Sequence, residues 1–393
     1  MDAKGERRRA ARAEANAARL KRRRALAGIL GAVALGACVS GAVVGAGGGE
    51  RPTAEVAGPC MDPARGVRFA AGQAAVVRME DRATPSLLGQ ARRGRIGGVI
   101  LFPDPEIKGA RLVRELRRLQ RAAAAGSNPP LLVSIDQEGG PVERLPALPP
   151  QLSPFTLREN DDRRAAKLEG RATGFQLREL GINVNLAPVL DVPESAEQFM
   201  SPRAFGSDAE QAGRLGLAFM RGMRRESVAA TAKHFPGLGR AQENTDFAPT
   251  TITAGRVALE RDIEPFARAA AAGIDLVMVS SAAYPALGSE DPAVLAPEIA
   301  TALLRGELGF DGVTISDDLL APAVAGGGSK AQVAQMASTA GVDLLLYARS
   351  PVRGIRMALL DGVAEGSVDA GALRASCERI LSLKTRLASG EPL

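Results

Sequence analysis

Residues 230–249, ATAKHFPGLGRAQENTDFAP, are the stretch whose reading decides the fold. A short apolar strand runs into Lys233 and His234, then breaks at Phe-Pro-Gly-Leu-Gly into a polar loop ending Asn244-Thr245-Asp246. His234 is the only histidine in 393 residues. Glycine and proline end a strand abruptly, and polar groups gathered just past a strand end are how an α/β protein builds a site.

The same arrangement recurs along the chain. Apolar, β-prone runs occur at residues 74–78 (AAVVR), 98–102 (GVILF), 131–135 (LLVSI), 182–187 (INVNLA), 228–233 (VAATAK), 275–279 (DLVMV), 312–315 (GVTI) and 342–347 (VDLLLY). Amphipathic helical patterns separate them at 107–125, 163–180, 208–226, 257–272, 297–308 and 330–340, and residues 370–388 close the chain. The runs are continuously apolar rather than alternating, which implies strands buried on both faces and hence parallel βαβ units. Eight such units in one body predict an α/β fold of the (β/α)8 TIM-barrel type, a single catalytic domain over residues 68–393. A doubly wound open sheet is the alternative, because periodicity alone does not close a barrel.

Charge is uneven along the chain. The formal net charge is +6, and residues 1–24 carry ten cations against three carboxylates, so the remainder is close to neutral. A neutral body gives no nucleic-acid signal. Residues 25–48 contain no charged side chain and follow directly on Lys21-Arg22-Arg23-Arg24. A basic, cytoplasmic 1–24 followed by an apolar 25–48 reads as an export signal or membrane anchor with its positive flank inside. Residues 35–38, LGAC, match a lipobox in which Cys38 becomes a lipidated first residue; an uncleaved signal anchor is the other reading. Residues 49–67 then serve as a linker, and the body is expected on the extracytoplasmic face of the cell membrane. Cys60 and Cys377 lie near the two ends of that body, and in an oxidising compartment they either pair or remain two buried thiols.

The positions after the strands carry the polar chemistry. The third run leads into Asp136-Gln137-Glu138-Gly139-Gly140 with Arg144 beyond, and the fourth into Asp191, Arg203 and Asp208. The fifth leads into Lys233 and His234, the sixth into Ser280 and Ser281, the seventh into Asp317 and Asp318. Carboxylates, a lysine, a histidine and arginines converging on one mouth suit a polyhydroxylated ligand, and a pair of carboxylates is what glycoside hydrolysis requires. One histidine and scattered cysteines give no metal site, and no glycine-rich nucleotide cradle follows a strand. No cofactor is expected.

Six blocks make the chain resemble glycoside hydrolase family 3, specifically its single-domain β-N-acetylhexosaminidases. They are GGVILF (97–102), IDQEGGPVERLP (135–146), NVNLAPVLDV (183–192), SPRAFGSD (201–208), AKHFPGLG (232–239) and LGFDGVTISDDL (308–319), in the family's order and spacing over residues 70–385. The resemblance implies that Asp317 is the nucleophile of a retaining mechanism. It implies that Asp136, Arg144, Arg203, Lys233 and His234 hold the sugar. Asp318 is expected to cap the helix that follows it, Asp191 and Asp208 to order their loops, and Glu138 to order its glycine turn.

The chain departs from that family in the 240s loop. There the relatives carry an Asp-Ser-His triplet whose histidine is the general acid/base; here the aligned residues are Asn244-Thr245-Asp246, and Leu238 replaces the histidine of a PGHG segment. Asp246 is therefore expected to be the acid/base, with Glu243 as the alternative. A retaining enzyme sets its two carboxyl groups about 5 Å apart, so the loop has to sit close over the pocket. The expected activity is release of terminal N-acetylglucosamine from peptidoglycan fragments by a protein that needs no obligate partner and acts as a monomer. The other readings are a catalytically impaired sugar-binding protein, a β-glucosidase-type specificity, and transfer to phosphate instead of water.

Overall fold

The computed structural model describes residues 58–63, 65–349 and 354–393; the basic segment, the apolar 25–48 segment and Cys38 fall outside the described residues. The compact unit spans Val56–Leu393. Among the described residues no helix is long and apolar enough to cross a membrane.

Eight strands form the barrel: β1 (Ala75–Met79), β2 (Gly98–Leu101), β3 (Leu132–Ile135), β4 (Val184–Asn185), β5 (Ala229–Phe235), β6 (Leu276–Val279), β7 (Val313–Asp318) and β8 (Leu344–Tyr347). Each pairs in parallel with its sequence neighbours, and β1 pairs with β8 through Ala75 and Leu345, so the sheet closes on itself. The (β/α)8 barrel is therefore the architecture, and the open-sheet alternative is excluded. All strand runs fall where continuous apolar character placed them. β4 is shorter than its apolar run because asparagine side chains occupy neighbouring ladder positions. Asn183 Oδ1 accepts from Val133 N at 2.7 Å, and Asn185 Oδ1 accepts from Gln137 N at 3.0 Å.

The helices are α1 (Gly66–Gln73), α2 (Pro85–Arg92), α3 (Gly109–Ala124), α4 (Pro154–Glu159), α5 (Arg163–Leu180), α6 (Ala209–Arg224), α7 (Arg256–Ala271), α8 (Lys330–Thr339), α9 (Ile355–Glu365) and α10 (Ala370–Ser389). Local chemistry sets their starts. Asp162, Asp208 and Asp369 accept first-turn N–H groups of α5, α6 and α10, and Ser329 forms a reciprocal capping box with Gln332 at α8, each cap contributing about 1 kcal/mol. The segment Glu298–Glu307, read as a helix from its pattern, has wider π-type bonding. Helices α5 and α6 approach closely at glycines: a Cβ on Gly170 would lie 2.1 Å from Phe219 O, and one on Gly222 2.2 Å from Lys167 O.

Side chains such as Val76, Ile100, Leu132, Leu276, Ile315 and Leu344 fill the barrel, and Ile380 and Leu383 of α10 join that cluster. The interior is a packed core, as barrels of this size require. Beside it, Lys384 is buried with its Nζ donating to Gln73 Oε1 at 2.6 Å.

Cys60 and Cys377 form a disulfide across a sequence separation of 317 residues, which resolves the choice between a bridge and two thiols. Both residues are fully buried, so the bridge joins the segment before α1 to α10 inside the fold. Closing a loop this long restricts the unfolded chain strongly, and loss of the bridge is expected to cost about 3–5 kcal/mol. Guanidinium unfolding of the Cys60→Ala/Cys377→Ala variant would measure it; an unchanged midpoint would show that the bridge contributes nothing.

Candidate active site

The strand ends open into a cavity of about 680 Å³. Its wall includes Asp136, Glu138, Arg144, Arg203, Lys233, His234, Asp246, Asp317 and Asp318. Each residue that the sequence marked as catalytic or sugar-binding is thus gathered on one cavity. Glu243 is exposed and does not line it.

The floor of the site is a buried ion network. Lys233 Nζ lies 2.9 Å from Asp136 Oδ1 and 2.6 Å from Glu138 Oε1. Arg203 grips Glu138 with both arms, Nη2 to Oε1 at 2.7 Å and Nε to Oε2 at 2.9 Å. Arg144 Nη2 reaches Asp136 Oδ2 at 3.5 Å. Burial pushes the Glu138 carboxyl up, but Arg203 and Lys233 outweigh it and bring the group down to about 2. Asp136 is likewise held below the usual carboxylate range, burial being overcome by Lys233 and then Arg144. Burial disfavours the Lys233 ammonium, yet Asp136 and Glu138 hold its proton more tightly than usual.

Glu138 is the residue whose part differs most from its sequence reading. It is fully buried and supplies the counter-charge to both Arg203 and Lys233. Ordering of the glycine turn falls instead to Glu143, whose Oε1 accepts from Gly140 N at 2.7 Å. Gly139 and Gly140 take φ of +97° and +68°, so the hairpin doubles back and returns Arg144 to the mouth.

His234 is fixed by Asp191. Its Nδ1 donates to Asp191 Oδ2 at 2.7 Å, its backbone N to Oδ1 at 3.0 Å, and Leu238 N to the same oxygen at 2.6 Å. The ring orientation and tautomer follow from that bond. The loop reaches Asp191 because Gly239 has no side chain; a Cβ there would sit 2.1 Å from Val192 O. Asp191 and Asp208 thus order their surroundings as expected, Asp208 by capping α6. The peptides Ala187–Pro188, Lys233–His234 and Phe235–Pro236 are cis.

Asp317 ends β7 partly buried, its Oδ1 accepting from Asp318 N at 2.8 Å. Burial raises its pKa; His234 pulls against that and the charge of Asp246 adds to it, leaving the group above the usual range. Asp318 accepts from Leu320 N at 3.1 Å and Ala348 N at 3.0 Å, so it ties the turn after β7 rather than capping a helix, the next helical segment starting after Ala321 with no side-chain cap. It also binds Arg349 Nε at 2.9 Å.

Arg349, two residues past β8, is the member of the site that sequence reading missed. Its Nη2 lies 2.9 Å from both Asp246 Oδ1 and Asp246 O, so one guanidinium ties the 240s loop to the end of β7. The signal was available, since Arg349 follows an apolar run as Asp136 and Lys233 do. Asp246 is half-exposed and its N–H donates to Asn244 Oδ1 at 2.9 Å, an Asx-type turn that shapes the loop. At the rim the guanidiniums of Arg78 and Arg144 lie 4.3 and 4.5 Å from the centre of the Phe102 ring.

A closed parallel barrel with a carboxylate-rich, cation-balanced mouth defines the class of (β/α)8 glycosidases. The chain belongs to glycosyl hydrolase family 3: the model described as "Glycosyl hydrolase family 3 N terminal domain" matches residues 71–383. It is a glycoside hydrolase. Among its relatives, an "Uncharacterized secreted glycosyl hydrolase" of Arthroderma benhamiae is 33% identical over 313 residues, covering 77% of this chain and 89% of that protein. A "Beta-hexosaminidase" of Thiobacillus denitrificans is 34% identical over 266 residues, 65% of this chain and 72% of that one. Among solved structures, the β-N-acetylhexosaminidase of Beutenbergia cavernae superposes with a TM-score of 0.75 at 31% identity, over 81% of this chain and 98% of that one. The family 3 β-N-acetylglucosaminidase of Paenibacillus sp. FPU-7 gives 0.77 at 34% identity, over 82% of this chain and 62% of its own longer chain.

Proposed function

We propose that this enzyme is an exported, retaining β-N-acetylhexosaminidase that releases terminal N-acetylglucosamine from peptidoglycan fragments, with Asp317 as nucleophile and Asp246 as general acid/base. The observation that carries the reading is the joint presence of these two carboxylates on a cavity whose inner wall is the Asp136–Lys233–Glu138–Arg203 network. Asp136, Arg144, Arg203, Lys233 and His234 hold the sugar hydroxyls in this scheme.

In the first step an Asp317 carboxylate oxygen attacks the anomeric carbon. The bond to the leaving oxygen breaks, and the Asp246 carboxyl gives that oxygen its proton. In the second, Asp246, now a carboxylate, takes a proton from water as the water oxygen displaces Asp317, which leaves as a carboxylate. The single histidine is engaged through Nδ1 by Asp191 and the 240s loop itself carries no imidazole, which favours a carboxylic acid for the proton transfer. Arg349 joins the loop bearing Asp246 to Asp318, the neighbour of Asp317, and so keeps donor and nucleophile in register. The basic and apolar segments at 1–24 and 25–48 would tether the enzyme to the outer side of the cell membrane, through Cys38 or as an uncleaved anchor. A disulfide inside the body and a relative named as secreted agree with export.

The test compares Asp246→Ala on an activated aryl N-acetyl-β-glucosaminide and on an unactivated β-linked disaccharide. Loss of the acid should slow the disaccharide by about 10²–10⁴-fold and the activated substrate far less. Equal losses on both substrates would remove Asp246 from the acid role, and a differential loss in Glu243→Ala instead would reassign it.

A further inference from the structure

Outside the barrel, away from the cavity just described, a second hollow of about 410 Å³ lies where α2, the start of β1 and the first turn of α9 meet. Ser86, Gln90, Arg93, Arg95 and Arg356 line it, and no carboxylate does. Ser86 and Gln90 belong to α2, Arg93 and Arg95 to the turn leading into β2, and Arg356 to the first turn of α9. Gly89 gives the Arg93 guanidinium room along α2, since a Cβ there would come within 3.1 Å of Arg93 Nη2.

These arginines differ from those whose charge the fold balances with a buried carboxylate. Arg203, Arg224, Arg305 and Arg379 each meet a fully buried carboxylate. Among the ion pairs of the described residues, none includes Arg68, Arg93, Arg95 or Arg356. Arg356 Nε is buried with no hydrogen-bond acceptor. Burial, then the charges of Arg95 and Arg68, disfavour the Arg356 guanidinium, yet a guanidinium does not shed its proton in a protein. Gly354 at the start of α9 supplies no side-chain cap, so the partial positive charge of that helix end adds to the field.

We propose that this hollow is a second site, an oxyanion site for phosphate or a phosphate ester. Converging guanidiniums, a serine hydroxyl and a glutamine amide supply donors only on the cationic side and neutral donors beside them, the complement of a tetrahedral oxyanion. A bound phosphate supplies the counter-charge that the fold omits at this place while providing it for the arginines named above. The ligand arrives either as a soluble phosphate or ester, or as the head group of an anionic phospholipid; both present the same oxygens.

The experiment uses the full-length protein and inorganic phosphate as probe, with ionic strength held constant by chloride so that screening does not imitate binding. Calorimetric titration should show one saturable site, and phosphate should raise the melting temperature by mass action. Arg95→Gln/Arg356→Met should weaken that affinity by at least about tenfold while leaving glycoside hydrolysis unchanged, and Arg95→Gln alone, at an exposed position, provides a variant whose folding is not in question. Phosphate binding accompanied by stronger retention on phosphatidylglycerol than on phosphatidylcholine vesicles, lost in the double variant, assigns the head group. Phosphate binding with equal retention on both vesicles assigns a soluble ester. Absence of a saturable phosphate effect, or one that persists in the double variant, overturns the proposal; an effect abolished by the monosaccharide N-acetylglucosamine would move it to the barrel mouth and overturn it equally.

Discussion

Asp317→Ala should lower kcat on an activated N-acetyl-β-glucosaminide by about 10⁴-fold or more, the scale seen when a covalent nucleophile is removed. The loss should appear in kcat rather than in affinity, because the proposed scheme assigns the sugar hydroxyls to other residues of the cavity, among them Asp136, Arg203 and Lys233 of the buried ion network. Two further readouts separate a nucleophile from a merely structural carboxylate. Asp317→Gly with added azide should regain turnover and yield the glycosyl azide of inverted configuration, since a small anion fits the space the carboxylate vacated. In the wild type, activity should fall as pH drops through the raised pKa of Asp317, because protonation removes the attacking charge. A variant retaining activity within tenfold, or azide without effect on rate or product, would move the nucleophile elsewhere.

Glu138→Gln should be the most destabilising single change at the site although Glu138 forms no bond to the sugar's reacting carbon in the mechanism. It leaves Arg203 and Lys233 without the carboxylate that pairs with both, Asp136 and the charge of Asp191 remaining to balance them. Breaking a buried pair from one side costs about 3–5 kcal/mol. The pH dependence has a definite sign. The group is lowered from 4.5 to about 2 on folding, so its stabilisation is fully present above 4.5 and is lost as pH falls toward 2. The difference amounts to about 3 kcal/mol. Urea unfolding at pH 7 and pH 3 would measure both quantities. The wild type should lose about 2 kcal/mol of its advantage over Glu138→Gln between them, and a constant gap would show that Glu138 is not held ionised by its neighbours.

Much of the fold was legible because each strand is apolar on both faces and each is followed by a helix of regular period. That pattern belongs to a local code of period and punctuation. Asp136, Lys233, His234 and Asp317 were legible for the same reason: they stand at strand ends. Glu138 was misread because its neighbours Gly139 and Gly140 suggest a turn, while its partner Arg203 lies 65 residues away in the chain. Pairing across such a span is set by barrel closure and leaves no local trace. Arg349 had the local signal of following an apolar run, but its part in the site was hidden, its bonds to Asp246 and Asp318 being formed only when β5, β7 and β8 stand at one rim. The pairing of Cys60 with Cys377 was undecided in sequence because nothing there says that the two ends of a barrel meet.

That meeting of ends also changes what a cut does. With Cys60 bonded to Cys377, almost the whole described chain is one covalent ring. A protease that severs an exposed stretch, such as that around the 77% exposed Phe247, opens the ring without producing two molecules. The pieces remain joined at the bridge and wound into a barrel that has no free edge at which to peel. A nick thus becomes a wound that the fold can carry instead of the start of its disassembly.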